Sequence, residues 1–330
     1  MFVYINSIAE DQPGEKWKSV FDRTWPYYRN WFLSEGSRAR PGYLSSLSAL
    51  EEHMPEIMPI YHQLTKLAGG GDTESRFLSQ FCPPPYMSGC SQIAWTRNSP
   101  VLIRNYDYSP VLFEGILFRT NWLRPVMGMS DCLWGLLDGM NDAGLTVSLT
   151  FGGRKVTGEG FGIPLIIRYI LETCDTVDEA VKVLMRIPVH MAYNLTLVDP
   201  SAKVVTVYLA PDRSPYISNS PIGTNHQVAV EWEDYARITG TRERRDILEA
   251  TLLDPFETEE GLIKKFLQPP LYNTKFEKAF GTLYTGVYHI NESQVELHWP
   301  QKSIIQKLFG FKEGREAVNL KLQVGSKLAM

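Results

Sequence analysis

The pattern of apolar residues changes at Cys90, and this change constrains the fold more than any other feature of the 330-residue chain. Before Cys90, apolar residues recur at helical spacing. After it, short alternating strands dominate, and two helices predicted over residues 162–174 and 176–186 interrupt them. The last strands form a hairpin over residues 283–299, followed by no further long helix. This order indicates an α+β protein in which helices cover antiparallel sheets.

The segment before Cys90 reads as helical. Aromatic residues at gaps of three and four predict a helix over residues 14–35, which we expect Pro26 to break or kink. A second helical stretch is predicted over residues 44–68. A glycine run and a proline run then separate these helices from Cys90. We therefore divide the chain into a helical pro-segment, residues 1–89, and a catalytic domain, residues 90–330.

Composition excludes several classes of function. The chain is 44% hydrophobic and 21% charged, as globular proteins are, and its net charge of −4 indicates no nucleic-acid partner. No run of about 18 apolar residues predicts a membrane span. The four cysteines form no C-x-x-C pair and no phosphate-binding loop occurs, so we expect neither a metal nor another cofactor. Without a secretory signal, a cytoplasmic location with reduced thiols is expected.

Cys90 is the first candidate for chemistry, because it directly follows Gly89 deep inside the chain. If the peptide bond between them is cut, Cys90 gains a free α-amine beside its thiol, so one residue supplies a nucleophile and a general base. The α-amine has an ordinary pKa of about 7.7–8.0, close to the pH at which it would work. A buried structural cysteine is the alternative interpretation.

Seven short motifs occur in order along residues 88–300. They are Gly89-Cys90-Ser91, Arg104-Asn105-Tyr106-Asp107, the stretch from Gly139 to Leu145, Asn194, Gly223-Thr224-Asn225-His226, Thr241-Arg242 and Thr282-Leu283-Tyr284-Thr285. In this order they resemble the cysteine branch of the N-terminal-nucleophile hydrolases, most closely the isopenicillin-N acyltransferase family, with choloylglycine hydrolase and penicillin V acylase as more distant relatives. The resemblance implies a four-layer αββα sandwich.

The resemblance implies roles for four residues besides Cys90. Arg104 would favour the thiolate, Asp107 would accept a hydrogen bond from the α-amine, and Asn225 would donate to the oxyanion. The alternatives are a surface ion pair for the first two residues and a turn for Asn225. Arg242 matches a family arginine near the nucleophile. Two neighbouring arginines compete for that place, Arg244 and Arg245.

A further part of the implied site departs from the family pattern. Bile salt hydrolases resemble this chain around Thr150 and Phe151 but carry asparagine where Thr150 stands. The backbone N–H of Thr150 remains a candidate oxyanion donor, while a bile-acid substrate loses support. Phe151, with Trp134 and Phe161, is a candidate for an apolar acyl pocket, although aromatic residues in strands are more often core.

The sequence thus predicts an autoprocessing amidase or acyltransferase that forms an acyl-enzyme at Cys90. Its partner would be a small-molecule amide or acyl donor with an apolar acyl group, and a homo-oligomer stays open. Two alternatives remain. One is an uncleaved thiol hydrolase that uses a Cys90–His226 dyad. The other is a non-enzymatic relative that keeps its pro-segment and acts as a scaffold or binding protein.

Overall fold

The computed structural model describes residues 1–276 and 280–320, which form nine α-helices and fifteen strands. The helices are α1 Glu15–Phe32, α2 Tyr43–His53, α3 Met58–Leu67, α4 Asp72–Leu78, α5 Ile163–Thr173, α6 Val177–Arg186, α7 Glu233–Thr239, α8 Thr241–Leu253 and α9 Glu259–Phe266. The strands are β1 Phe2–Glu10, β2 Gly89–Trp95, β3 Val101–Tyr108, β4 Ile116–Asn121, β5 Pro125–Asp131, β6 Gly135–Asn141, β7 Thr146–Phe151, β8 Tyr193–Val198, β9 Val204–Ala210, β10 Arg213–Ser218, β11 Ile222–Gly223, β12 Gly281–His289, β13 Gln294–Trp299, β14 Lys302–Lys307 and β15 Gly314–Asn319.

The strands form two sheets. One has nine strands in the order β10-β9-β8-β7-β6-β5-β4-β1-β15, and the other has six in the order β11-β2-β3-β12-β13-β14. Among the described strands, only the pairing of β1 with β4 is parallel. The predicted final hairpin is confirmed, since β12 and β13 pair from Thr285 with His298 to His289 with Gln294.

The two sheets pack face to face with helices outside both, so the chain is an αββα sandwich, as the sequence predicted. Strand β2 of the smaller sheet lies over β7 and β8 of the larger one. Helices α5 and α6 cover the outer face of the larger sheet, and α8 and α9 cover that of the smaller. Strands β2, β6, β7 and β8 are buried along their whole length, because each has a sheet on one face and helices on the other.

The segment before Cys90 departs from the sequence prediction in three ways. It begins with a strand: β1 buries Val3, Ile5 and Ser7 and pairs with both β4 and β15 inside the larger sheet. Helix α1 continues through Pro26, which is exposed. The predicted second helix is two helices, α2 and α3, because the chain bends at Pro55. The segment is therefore part of the sandwich as well as a helical layer beside it.

Helix α6 begins where the sequence predicted a capping box. The Thr176 hydroxyl accepts a hydrogen bond from the backbone N–H of Glu179 at 3.3 Å, as this motif requires. The Glu179 carboxylate in turn accepts from the backbone of Asp175, one residue before the expected position. Across residues 1–276 and 280–320, none of the helices combines the length and apolar character needed to cross a bilayer.

Candidate active site

Cys90 is the second residue of β2 and faces Tyr106 on β3, deep between the two sheets. Its thiol is shielded from solvent and lies 3.2 Å from Nη2 of Arg104 and 3.7 Å from the hydroxyl of Ser88. Burial raises the pKa of the Cys90 thiol, and the charge of Arg104 opposes that rise. The arginine is thus the cation that favours a thiolate at this position.

Arg104 itself is fully buried and held by the opposite sheet. Its Nη1 donates to the carboxylate of Asp138 at 2.7 Å and to the carbonyl of Leu137 at 2.8 Å. Asp138 also accepts from the hydroxyls of Tyr284, at 2.5 Å, and Tyr288. Burial and the charge of Asp138 raise the pKa of Tyr284, so the phenol keeps its proton and donates. Asp138 thereby fixes the guanidinium that contacts the thiol.

The backbone of Cys90 has two further dedicated partners. Its N–H donates to Oδ1 of Asn225 at 3.0 Å, and its carbonyl accepts from Nη1 of Arg244 at 2.6 Å. The same guanidinium donates to the hydroxyl of Ser91 at 2.7 Å and to Oδ1 of Asn225 at 2.6 Å. Arg244 and Asn225 are both buried, so these charge-assisted bonds form away from water.

Asp107 lies at the end of the same strand pair, opposite Gly89. Its carboxylate accepts from the Thr282 hydroxyl at 2.6 Å and lies 3.8 Å from Nη1 of Arg244. Burial raises the pKa of Asp107 to about 6, although Arg244 and Thr282 act against it. The carboxylate is therefore placed on the residue opposite Gly89, and its pKa remains below neutral pH.

The residues just before Cys90 are also held in place. The carbonyl of Ser88 accepts from the hydroxyl of Tyr235 at 2.7 Å and from Nδ2 of Asn225 at 3.3 Å. A Cβ at Gly89 would stand 2.2 Å from a ring carbon of Phe280, so no larger residue fits there without a shift. The bond between Gly89 and Cys90 thus has polar groups on both sides and no room for a side chain.

Arg242 is not brought to this site, which corrects the sequence-based choice. It is exposed on α8 and pairs with Glu233 at 2.6 Å, while Arg244, two residues later, is the arginine that reaches Cys90. Arg245 pairs with Glu249 at 2.7 Å. The three arginines point in different directions around α8, because successive residues of a helix are rotated by about 100°. The buried face of α8 carries Thr241, Arg244, Leu248 and Thr251.

Thr150 and Phe151 lie close to Asn225 but not as an open pocket. The Thr150 hydroxyl donates to the carbonyl of Thr224 at 2.9 Å and accepts from Asn194 at 3.1 Å. The Phe151 carbonyl accepts from Nδ2 of Asn225 at 3.1 Å, and its ring packs against Tyr235. Both residues thus shape the loop that carries Asn225.

Trp134 and Phe161, the other candidates for an acyl pocket, are core residues. Trp134 is fully buried and its indole nitrogen donates to the carbonyl of Leu78 at 2.9 Å. The ring of Phe161, which is fully buried as well, packs on that of Phe81 at 5.1 Å. The apolar pocket that the sequence suggested does not lie at these residues.

His226 does not pair with the thiol. Its Nδ1 lies 2.9 Å from the Thr241 hydroxyl and 3.3 Å from that of Thr224. Burial, together with the neighbouring arginines, lowers the pKa of His226 to about 4, so it is neutral at pH 7.

Within the described part of the chain, no three His, Cys, Asp or Glu side chains are grouped as a metal site requires. The arrangement suits acyl transfer at a thiol, because Arg104 contacts the thiol of Cys90 while Asn225 and Arg244 hold its backbone.

No sequence motif indicated a role for two residues of the site, Asp138 and Tyr235. Asp138 is an ordinary strand residue by its neighbours, and Tyr235 follows a run of acidic and aromatic residues. Arg244 did carry a signal, because it lies four residues before Leu248 and so on the apolar face of its helix.

Comparisons with known proteins place this site in context. The family model for acyl-coenzyme A:6-aminopenicillanic acid acyl-transferase matches residues 95–303, well over half of the chain, and begins just after Cys90. No curated protein sequence matches.

Three solved structures are similar at low identity. A mutant of conjugated bile acid hydrolase from Clostridium perfringens has 10% identity and a TM-score of 0.45, over 70% of this chain and 97% of its own. Penicillin V acylase from Agrobacterium tumefaciens has 13% identity and a TM-score of 0.42, over 69% and 90%. The N-acylethanolamine-hydrolyzing acid amidase ortholog of Caenorhabditis elegans has 17% identity and a TM-score of 0.44, over 61% and 92%.

Proposed function

Because the chain belongs to the acyl-coenzyme A:6-aminopenicillanic acid acyl-transferase family, we propose that it is an autoprocessing cysteine N-terminal-nucleophile amidase or acyltransferase. Cys90 is its nucleophile. Its substrate is a linear, non-peptide amide or a thioester, and the acyl group passes through a thioester on Cys90. Water or an amine then accepts the acyl group.

One observation carries this proposal: three atoms of Cys90 each have a separate buried polar partner. Arg104 contacts the thiol, Asn225 the backbone N–H and Arg244 the carbonyl. Buried backbone groups need partners in any residue, but a structural cysteine behaves as a small apolar side chain and needs no guanidinium at its thiol. Arg104 reaches the thiol although it is fully buried and already paired with Asp138, and a buried cation aimed at a thiol supports chemistry at that thiol.

Maturation begins with attack by the Cys90 thiol on the carbonyl carbon of Gly89. As the C–S bond forms and the C–N bond between the two residues breaks, the thiol proton passes to the nitrogen, which becomes the α-amine of Cys90. The resulting thioester is hydrolysed by water, which leaves a carboxylate on Gly89. Tyr235 and Asn225, both on the adjoining Ser88 carbonyl, hold the peptide in place during this step.

In turnover, the α-amine takes the proton of the thiol and later delivers it to the leaving amine. Asn225, whose Oδ1 already accepts from this nitrogen, and Asp107 orient the amine. Arg104 stabilises the thiolate. We retain the backbone N–H of Thr150 and the side-chain amide of Asn225 as the oxyanion donors.

Intact-mass measurement of freshly purified protein tests the central step. We expect two fragments, residues 1–89 and 90–330, whose masses sum to that of the full chain plus one water. Cys90→Ala stays whole, because no nucleophile remains. Cys90→Ser is cut more slowly, since a hydroxyl is the weaker nucleophile.

The matched control is Cys174→Ala, which removes another buried free thiol that lies outside the site. This variant is expected to be cut and to hydrolyse acyl amides like the wild type. A wild-type protein that stays whole on long incubation would instead support the non-enzymatic alternative. Cleavage after Gly89 in the Cys90→Ala protein would overturn the proposal.

A further inference from the structure

A separate cavity of about 270 Å³ lies between α1 and the segment that follows β3. Six of the twelve residues that line it are aromatic, and they come from α1, from the segment before β2 and from residues 108–113. These are Tyr27, Tyr28, Trp31, Tyr86, Tyr108 and Phe113. Val111 and Leu112 also line it and are 87% and 59% exposed, so they form an apolar mouth.

Two carboxyl groups, Glu114 and Asp131, line the same cavity. Oε1 of Glu114 accepts from the backbone N–H of Leu133 at 2.8 Å and from the hydroxyl of Tyr28. Oδ1 of Asp131 lies 3.2 Å from the same hydroxyl, whose oxygen already accepts from the backbone N–H of Cys132 at 3.0 Å. The Tyr28 hydroxyl has one proton and therefore donates one hydrogen bond, although it lies beside two carboxyl groups.

This acid pair has no cation beside it. Among the described residues, neither carboxyl forms an ion pair, and Arg23 acts on Glu114 only at longer range. Oε2 of Glu114 is shielded from solvent and accepts no hydrogen bond of normal geometry there, although the Ser130 hydroxyl lies nearby. Burial and then the charge of Glu114 raise the pKa of Asp131 to about 7. Two half-buried acids without a counter-charge destabilise one another, so a bound cation would be favoured.

We propose that this cavity binds an organic ammonium ion, with the ammonium group against Glu114 and Asp131 and the apolar stem against the aromatic rings. Aromatic faces attract organic cations, and desolvation strengthens the attraction. A metal ion would use neither the rings nor the apolar mouth. A neutral apolar molecule would leave the acid pair without a counter-charge. The ligand is thus an alkyl or arylalkyl amine in its protonated form.

The cavity is close to the thiol but separated from it by aromatic rings. The guanidinium of Arg104 lies 5.1 Å from the centre of the Tyr106 ring, and that ring lies 5.7 Å from the ring of Tyr108 in the cavity wall. The ammonium has two sources that fit this position. It is either a group of the molecule that reacts at Cys90 or a free amine that binds independently.

Calorimetric titration of the wild-type protein tests the binding. The probe is 2-phenylethylamine, fully protonated at pH 7.5, and its neutral counterpart is 2-phenylethanol, which has nearly the same shape. We expect the ammonium to bind at least about tenfold more tightly than the alcohol, as a desolvated cation–carboxylate contact predicts. Equal affinities, or no binding of the ammonium, would overturn the proposal without bearing on the role of Cys90.

Two conservative variants locate the effect. Asp131→Asn and Glu114→Gln are each expected to weaken ammonium binding at least about fivefold and to leave binding of the alcohol unchanged. Glu260→Gln removes an exposed acid on α9 and is expected to change neither affinity. Unchanged alcohol binding shows that the cavity is intact. If both cavity variants keep the wild-type preference, the acids do not recognise the cation and the proposal fails.

Kinetics with the same probe separate the two sources. If the ammonium belongs to the reacting molecule, 2-phenylethylamine raises the apparent KM for amide hydrolysis and leaves kcat unchanged. If it is a free amine, the probe binds together with the substrate and leaves KM unchanged. Both results are compatible with an ammonium site, and they assign it to different molecules.

Discussion

Arg242 and Arg244 are two residues apart on α8 and have opposite surroundings. Arg244 makes three hydrogen bonds around Cys90 and is 2% exposed, whereas Arg242 is on the surface beside Glu233. We expect Arg244→Gln to lower amidase activity by about 100-fold or more, because a preorganised, buried donor set is lost. Arg242→Gln is the control and should change activity less than about twofold. Initial rates and the extent of self-cleavage measure both, and equal effects would show that Arg244 has no special role.

The same pair shows what sequence could and could not predict at the residue scale. Cys90, Arg104, Asp107 and Asn225 were predicted because short motifs keep their order along the chain, and the structure places these four residues close together. The choice between Arg242 and Arg244 depends on which way a helix is turned, and residues two apart differ by about 200° in direction. Leu248 indicates the orientation of the helix about its axis, because Arg244 lies four residues before it and so on the same face. Asp138 could not be found, because its partners come from distant strands.

Gly153, just after the end of β7, packs directly against the backbone of Asn225. It follows β7 with a φ of +70°, and a Cβ there would stand 2.2 Å from the backbone oxygen of Asn225. Gly70 has the same φ of +70° but nothing within 4 Å of its Cβ position. Both alanine variants bear the strain of a left-handed backbone, about 1–2 kcal/mol, and only Gly153→Ala must also move the Asn225 loop.

We therefore expect Gly153→Ala to lower the free energy of unfolding by about 2 kcal/mol more than Gly70→Ala, since overpacking against backbone typically costs 1–3 kcal/mol. It should also reduce activity, while Gly70→Ala leaves activity unchanged. Urea unfolding of the two variants measures the difference. Equal destabilisation would mean that the loop yields freely and that Gly153 acts through its φ alone.

At the element scale, hairpins and amphipathic helices were predictable, and strands with distant partners were not. The hairpin of β12 and β13 was found, because its two halves are adjacent in sequence and its turn is polar. Strand β1 was missed, because its two partners, β4 and β15, lie more than a hundred residues away.

For the whole molecule, β1 has the consequence that the proposed cleavage would break one peptide bond without releasing residues 1–89, because β1 is part of the larger sheet. Residues 1–89 would stay attached through two strand ladders and through the buried faces of α1 to α4. The Trp17 indole also donates to the carbonyl of Leu133 at 3.0 Å. We expect the two fragments to elute together in gel filtration and to separate only in denaturant, as analysed by mass spectrometry of the peak. Free fragments under native conditions would contradict this packing.

The strand pair β1–β15 has one more consequence. The backbone N–H of Leu320 donates to the carbonyl of Met1 at 2.8 Å, so the first residue and the last described residue are neighbours in one sheet. Cys90, in contrast, lies near the start of β2, an inner strand of the other sheet. A circularly permuted gene could therefore join residue 320 to residue 1 and place Cys90 directly after the initiator methionine. Removal of that methionine would expose the α-amine of Cys90 without cleavage after Gly89, so maturation and catalysis could be studied as separate events.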